Sequence, residues 1–201
     1  VHVLFAQIAY GRGIRDQGEP GDFTGAELKE AQTRSLSVPH TAMIVTDDLM
    51  KPGDDVHYPN KLPVGERFAR AALATVYGKG GEYSGPIFKS QKIEGDKIRL
   101  TFDHAKGGLK AREGALEGFA VAGEDRKWVW AEASIDGETV LVGSKDVPHP
   151  VAVRYSWAES PCGGELGKQG RVSGALFPPR HCAVGNPGGF FHPRECIPRP
   201  L

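Results

Sequence analysis

The loop at residues 53–61, Gly-Asp-Asp-Val-His-Tyr-Pro-Asn-Lys, contains residue types suited to acid–base chemistry. Asp54 lies three residues before His57, a spacing that lets the carboxylate fold back and accept a hydrogen bond from the imidazole Nδ1–H. The Nε2 atom of His57 is then free to take a proton from a hydroxyl nucleophile. Asp55 is closer in sequence and is expected to point elsewhere. Because an isolated Asp-x-x-His also occurs in polar loops whose aspartates form turns, the pattern by itself leaves a structural role open.

The elements on either side of this loop indicate an α/β unit. Apolar runs at residues 3–10 and 41–46 predict two buried strands, with a helix over residues 24–36 between them. A second helix is predicted over residues 63–78, beginning with a proline in its first turn and ending at a glycine. Its apolar residues recur every four positions: Val64, Phe68, Ala72 and Val76. The loop at 53–61 thus follows a strand and precedes a helix, where ligands bind in open α/β sheets.

After residue 84 the pattern changes to short runs rich in Val, Ile, Phe and Trp, separated by glycine and aspartate turns. The six runs are residues 86–93, 97–103, 119–122, 128–135, 139–142 and 151–157. Strand-like runs at this spacing, with no helix between them, predict an antiparallel β-sandwich.

Four aromatic residues of this β module form pairs at offsets of two: Trp128 and Trp130, and Tyr155 and Trp157. Residues two apart on a strand share a face, so each pair suits either a sugar-stacking platform or a packed core. We expect at least one pair to belong to the core.

Composition excludes several classes of protein. The 201 residues are 39% hydrophobic and 25% charged, with 25 basic and 25 acidic side chains, which argues against a disordered chain. A nucleic-acid binder would show a basic excess, so no nucleic-acid partner is predicted. No apolar stretch approaches the roughly 20 residues that a membrane span needs. The first residues lack the features of a secretory signal and are expected to lie within a strand of an interrupted domain.

The loop at 53–61 and the sequence Val-Gly-Glu-Arg-Phe-Ala-Arg-Ala-Ala-Leu after it closely resemble the last catalytic block of the sialate O-acetylesterases. These enzymes belong to the SGNH superfamily of serine hydrolases. Other stretches resemble the family's strands, its helix–strand pair and its C-terminal sandwich: residues 4–9, 28–46, 83–86, 118–133 and 150–158. They occur in the family's order and span nearly all of residues 1–161.

The resemblance implies hydrolysis of O-acetyl esters on sialic acid or related sugars through an acetyl-serine intermediate. Carried over by position, His57 is the general base and Asp54 the carboxylate that orients it. The fold implied is part of the three-layer SGNH α/β domain at residues 1–84, followed by the β-sandwich at 85–161. No metal or organic cofactor is implied, the partner is an acetylated sugar, and a secreted, periplasmic or lysosome-like location is expected.

The family's Gly-Gln-Ser-Asn block, which carries the nucleophile, and its oxyanion-stabilising Gly and Asn do not occur in this sequence. No serine sits in a Gly-x-Ser-x-Gly elbow, and Ser84 lies where the family has a structural turn. We therefore expect a C-terminal fragment of an esterase that is inactive alone, whose missing N-terminal half is a separate chain or an adjoining frame.

Residues 162–201 contain all three cysteines and depart from the family pattern. The codons that could encode the segment from Glu165 can also encode the family's Asn-x-x-Asn-Lys-Glu-Gly motif when they are read one nucleotide downstream. We therefore predict a frameshift near Cys162 and a poorly ordered tail. The alternative is a metal site made of Cys162, His181, Cys182, His192 and Cys196. This is disfavoured because the tail has no Cys-x-x-Cys pair.

Two other functions stay open at this point. One is an acetylesterase acting on plant or microbial polysaccharides, since the residues that select the sugar are expected upstream. The other is a non-catalytic carbohydrate-binding or interaction module that uses the sandwich alone.

Overall fold

The α/β unit is built on a pair of parallel strands. The computed structural model describes residues 1–9, 20, 24–49, 57, 59–111, 114–157 and 166–168. Strand β1 (Val3–Ala6) pairs with β2 (Thr41–Ile44) in a parallel register from Val3 opposite Thr41 to Ala6 opposite Ile44. Helix α1 (Thr24–Arg34) precedes β2 and continues into a short 3-10 helix, Ser35–Ser37. The predicted strand–helix–strand order is confirmed, and both strands are shorter than their apolar runs.

Helix α2 (Leu62–Thr75) covers one face of this strand pair, with Pro63 in its first turn as predicted. Buried Ala42, Ile44 and Ala71 form the centre of the contact. Side chains packed around them are Leu4, Ala6, Val64, Phe68 and Tyr83. Ala71, rather than the predicted Ala72, faces the strands because the helix has 3.6 residues per turn, so a strict spacing of four drifts around it by about 40° per step. At the end of that drift Val76 is exposed.

The β module contains one six-stranded antiparallel sheet in the order β3-β4-β8-β7-β6-β9. Its strands are β3 (Ile87–Glu94), β4 (Lys97–Asp103), β6 (Phe119–Ala122), β7 (Trp128–Asp136), β8 (Thr139–Gly143) and β9 (Ala152–Tyr155). All six predicted runs are strands. The glycine turns at 94–96 and 136–138 form the expected hairpins, since Gly95 and Gly137 adopt φ of +66° and +60°.

A β-sandwich, as predicted, consists of two separate sheets, whereas the strand pairing shows one continuous sheet. Strand β7 is shared: Trp128–Ala131 pairs with β6, and Glu132–Asp136 pairs with β8. Residues from β4, β6, β8 and β9 nevertheless enter one apolar core. A single sheet therefore curls around its own core, because the nine-residue β7 passes from one half of the sheet to the other.

Two short strands were not predicted from the sequence. Strand β5 (Leu109–Ala111) pairs in antiparallel fashion with β10 (Leu166–Lys168). Strand β10 lies within residues 162–201, the segment for which the sequence predicts a poorly ordered tail. The rest of residues 162–201 lies outside the described part of the chain.

No helix among the described residues is long and apolar enough to cross a membrane.

Arg99 on β4 joins three neighbouring segments of the sheet. Its Nε donates to Glu94 Oε2 at 2.8 Å, and its Nη1 donates to Asp136 Oδ2 at 2.7 Å and Thr139 Oγ1 at 2.8 Å. The hydrogen bond from Arg99 lowers the pKa of Glu94 below its usual value. Folding is therefore favoured by the ionised form of Glu94.

We predict that Glu94→Gln lowers stability at neutral pH and that this effect shrinks as the pH falls. Because the pKa of Glu94 is lower in the folded chain, its contribution is present above the unfolded value and is lost as the pH passes down through the folded value. Urea unfolding across a pH series measures this, with exposed Glu132→Gln on β7 as the control. A stability loss from Glu94→Gln that stays constant down to acid pH contradicts the assignment.

The centre of the β core is Phe119, which is fully buried with its ring 4.5 Å from that of Tyr155. We predict that Phe119→Ala destabilises the β module by about 3–5 kcal/mol, since it opens a cavity beside that ring. Exposed Ile93→Ala in the same sheet is expected to cost less than about 1 kcal/mol. Urea unfolding followed by tryptophan fluorescence measures both, and equal losses would mean that Phe119 is not central to the core.

Candidate active site

The carboxyl ends of β1 and β2 are joined by a polar network centred on Gln7. The Gln7 backbone N–H donates to Ile44 O at 2.9 Å, which extends the strand pairing by one residue. Its buried side-chain Nε2 donates to Lys29 O at 3.1 Å and to Thr33 Oγ1 at 3.0 Å, both on α1. The end of β1 is thus fixed to α1.

Two aspartates directly after β2 form ion pairs with the two helices. The short 3-10 helix Asp47–Leu49 follows β2. Lys29 Nζ of α1 is hydrogen-bonded to Asp47 Oδ2. Arg67 of α2 makes a two-pronged contact with Asp48, with Nη1–Oδ1 and Nη2–Oδ2 distances of 2.5 and 2.6 Å. The segment that leads into the loop at 53–61 is therefore held from both helices.

These aspartates are suited to holding structure rather than to transferring protons. The Asp48 side chain is only 1% exposed, and both its oxygens accept from one guanidinium. Hydrogen bonds from one planar guanidinium to both oxygens fix the carboxylate in place, which suits a structural role. Sequence reasoning did not identify this network because the partners lie 18 and 19 residues apart. The feature of the sequence that pointed to these ion pairs was the pair of aspartates directly after an apolar strand.

His57 lies on the surface, four residues before Lys61, the N-terminal cap of α2. Along the chain it follows β2 and precedes α2, and its role as general base stays a prediction. Asp54, its predicted orienting carboxylate, lies outside the described residues, as do Asp55 and Val56. The Asp54–His57 pairing stays a prediction from the sequence.

The aromatic residues of the β module are divided between the two faces of its sheet. Tyr155 faces the core, where it contacts Phe119. On the opposite face the Arg154 guanidinium carbon lies 3.9 Å from the ring centre of Trp128 and 4.7 Å from that of Trp157. Arg154 is only 2% exposed.

The burial of these aromatic rings decides which of them could form the predicted sugar-stacking platform. Trp157 and Tyr155 are buried, and Arg154 stacks on the rings of Trp128 and Trp157, so these rings serve packing. Trp128 and Trp130 are partly exposed. Tyr155 and Trp157 are both buried, as expected for at least one pair, but Tyr155 packs in the Phe119 core whereas Trp157 lies against Arg154. The positive φ of Ser156, 54°, interrupts the strand alternation between them.

The remaining candidates have no described site around them. Ser84 is buried in the segment between the α/β unit and the β module. The cysteines and histidines of the alternative metal site lie outside the described residues. Within the described ranges, no three or more His, Cys, Asp and Glu side chains are grouped closely enough to hold a metal ion.

Comparison with solved structures finds a similarity to a carbohydrate acetylesterase. The chain matches no protein-family model, and no curated protein matches it. Among solved structures it is similar to the crystal structure of a carbohydrate acetylesterase from Xanthomonas citri, with 37% identity and a TM-score of 0.76. The match covers 88% of this chain and 40% of that one, so the chain spans less than half of the Xanthomonas enzyme. This likeness supports a relationship to acetylesterases that act on carbohydrates.

We predict that Arg154→Lys destabilises the β module by about 2 kcal/mol, because a lysine cannot stack a planar cation on both indoles. Arg126→Lys, at an exposed position of the same module, is the control and is expected to have no measurable effect. Thermal unfolding monitored by tryptophan fluorescence compares the two variants. A wild-type melting temperature in Arg154→Lys would show that the stacking contributes nothing to stability.

Proposed function

We propose that this chain is the base-bearing part of a carbohydrate acetylesterase that hydrolyses O-acetyl esters by a Ser-His-Asp mechanism. The observation that carries the proposal is the 37% identity to the Xanthomonas citri enzyme over 88% of the chain. The order along the chain agrees with it, because His57 follows β2 and precedes α2, and open α/β sheets bind ligands beyond the carboxyl ends of their strands.

In the proposed reaction, the serine hydroxyl oxygen attacks the acetyl carbonyl carbon while His57 Nε2 takes the hydroxyl proton. The tetrahedral intermediate collapses, the bond to the sugar oxygen breaks, and His57 returns the proton to that oxygen. Water then attacks the acetyl-serine with His57 again as base, which releases acetate and restores the serine hydroxyl. Asp54 holds the imidazole in the tautomer that leaves Nε2 free and stabilises the imidazolium that forms at each step.

The attacking serine is proposed to come from polypeptide outside these 201 residues, as an adjoining segment or a separate chain. The motif evidence is that Gly-Gln-Ser-Asn does not occur in the sequence, while the histidine block does. The chain alone is then expected to release no acetate above background, because a triad without its nucleophile keeps only residual catalysis.

The second part of the proposal concerns which acetylated sugar is the substrate. The resemblance of residues 53–73 to sialate O-acetylesterases favours O-acetylated sialic acid, whereas the Xanthomonas enzyme is described only as acting on carbohydrate. An acetylated plant or microbial polysaccharide is the alternative substrate. An extracytoplasmic location, which the resemblance implies, is part of the same proposal.

The test is a hybrid enzyme in which this chain replaces the matching 40% of the Xanthomonas citri acetylesterase. We expect the hybrid to release acetate, and we expect His57→Ala and Asp54→Asn to lower kcat by about 10³-fold or more. Comparing kcat/KM for 9-O-acetyl sialic acid and acetylated xylan then identifies the sugar class.

The matched control is His149→Ala, an exposed histidine of the β module that should leave turnover unchanged. A folded hybrid that releases no acetate from either substrate contradicts the proposal. A hybrid whose turnover survives His57→Ala contradicts the role given to this histidine.

A further inference from the structure

The α/β unit and the β module are joined by residues 82–86. This segment contains no helix or strand, yet Ser84 and Pro86 within it are buried. Irregular segments normally run over the surface of a protein, where water satisfies their backbone polar groups. The burial of this connection indicates that the chain is closely packed where its two parts meet.

Tyr83, in this connection, takes part in the core of the α/β unit. Its side chain packs against the cluster formed by Ala42, Ile44 and Ala71 beneath α2. Burial raises the pKa of the Tyr83 hydroxyl above its usual value. Two of the three buried residues in the cluster are alanines, which bring little apolar surface. The Tyr83 ring is therefore a substantial part of the apolar contact that holds α2 to the strand pair.

His104 of the β module contacts both Glu82 and Tyr83. Strand β4 ends at Asp103, and His104 follows it in the left-handed conformation, with φ of +60°. Its Nδ1–H donates to Glu82 Oε1 at 2.5 Å. The imidazole and the Tyr83 ring meet edge to face, with ring centres 5.7 Å apart and planes inclined by 69°. A side chain of the β module thus touches a ring that packs on the core of the α/β unit.

We propose that His104 couples the two parts of the chain, so that the β module stabilises the α/β unit and the two unfold together. The described strands of the α/β unit form a sheet of only two, which is marginal without further packing. The curled sheet encloses a larger apolar core around Phe119 and is the more stable partner. This inference goes beyond the proposed function and does not depend on it.

The ring contact is essential to this coupling. The His104 and Glu82 side chains are 27% and 32% exposed, and an ion pair at this exposure contributes little by itself. Its hydrogen bond orients the imidazole, whose edge contact then holds the Tyr83 ring over the cluster beneath α2. The stabilisation of the α/β unit therefore comes from the position of Tyr83 rather than from the charges.

Two spectroscopic signals report separately on the two parts of the chain. All three tryptophans, Trp128, Trp130 and Trp157, lie in the β module. The α-helices of the described residues, α1 and α2, lie in the α/β unit. The test is equilibrium urea unfolding of the 201-residue chain, followed in the same samples by tryptophan fluorescence and by the helical signal in far-ultraviolet circular dichroism. Coincident transitions are the mark of one cooperative unit.

The variant that tests the coupling is His104→Asn, because asparagine tolerates the left-handed conformation while the imidazole is removed. Arg126→Asn is the matched control, since Arg126 has φ of +59° at an exposed position of the same module. Glu82→Gln is a second variant, which removes the ion pair and leaves the ring contact between His104 and Tyr83.

We expect the two transitions to coincide in the wild-type chain and in Arg126→Asn. In His104→Asn, the dichroism midpoint should lie about 0.5 M urea or more below the fluorescence midpoint, because the smaller core then unfolds first. Glu82→Gln should separate the midpoints in the same direction by a smaller amount, because the edge contact with Tyr83 persists.

Separate transitions in the wild-type chain overturn the proposal, because the two parts then unfold independently. Coincident transitions in His104→Asn, or an equal separation in Arg126→Asn, overturn the role given to His104. If His104→Asn does not fold, coincident transitions in Glu82→Gln overturn it instead. Because no turnover is measured, an inactive hybrid enzyme would reject the esterase without affecting this coupling.

Discussion

The pairing of Arg67 with Asp48 is the interaction on which the described part of the α/β unit depends, because it joins α2 to the chain directly after β2. A buried charge is costly unless it is paired and hydrogen-bonded, so neither side chain can occupy its place without the other. The contact forms only when β2, the short 3-10 helix after it and α2 are all in position. It therefore couples the packing of α2 on the strand pair to the position of the chain directly after β2. Apolar contacts pack α2 against the strand pair. The ion pair then fixes the helix relative to the chain directly after β2.

The β module is stabilised in a different way. One curled sheet encloses an apolar core on its inner face, with Phe119 and Tyr155 in contact at its centre. On the outer face, small Ala120 and Ala122 of β6 lie opposite Trp130 and Trp128 of β7, which leaves room for large side chains from the neighbouring strands. Arg154 of β9 lies in this space against two indoles. Aromatic residues that would suit sugar binding on an open surface thus serve largely as packing here.

The elements were predictable from the sequence where one local pattern determines them. Short runs rich in Val, Ile, Phe and Trp, separated by glycine and aspartate turns, predicted all six strands of the large sheet. Pro63 predicted the start of α2, whereas the helix ends at Thr75, three residues before the predicted Gly78. Pairing between distant segments was not predictable. The shared strand β7 depends on which neighbours its two halves meet, and the short pair β5–β10 joins segments more than 50 residues apart in the sequence. For the same reason His57 was found from its local motif, whereas Arg67 and Asp48 were not, because their partnership exists only in the folded chain.

The most direct measurement is a crystal structure of the chain that shows the His57 and Asp54 side chains. The account predicts that an Asp54 carboxylate oxygen lies within about 3 Å of His57 Nδ1, with Nε2 facing the carboxyl ends of the strands. An Asp54 side chain that instead caps a backbone turn, with His57 Nδ1 bonded elsewhere, would contradict the assignment of these residues as base and orienting carboxylate.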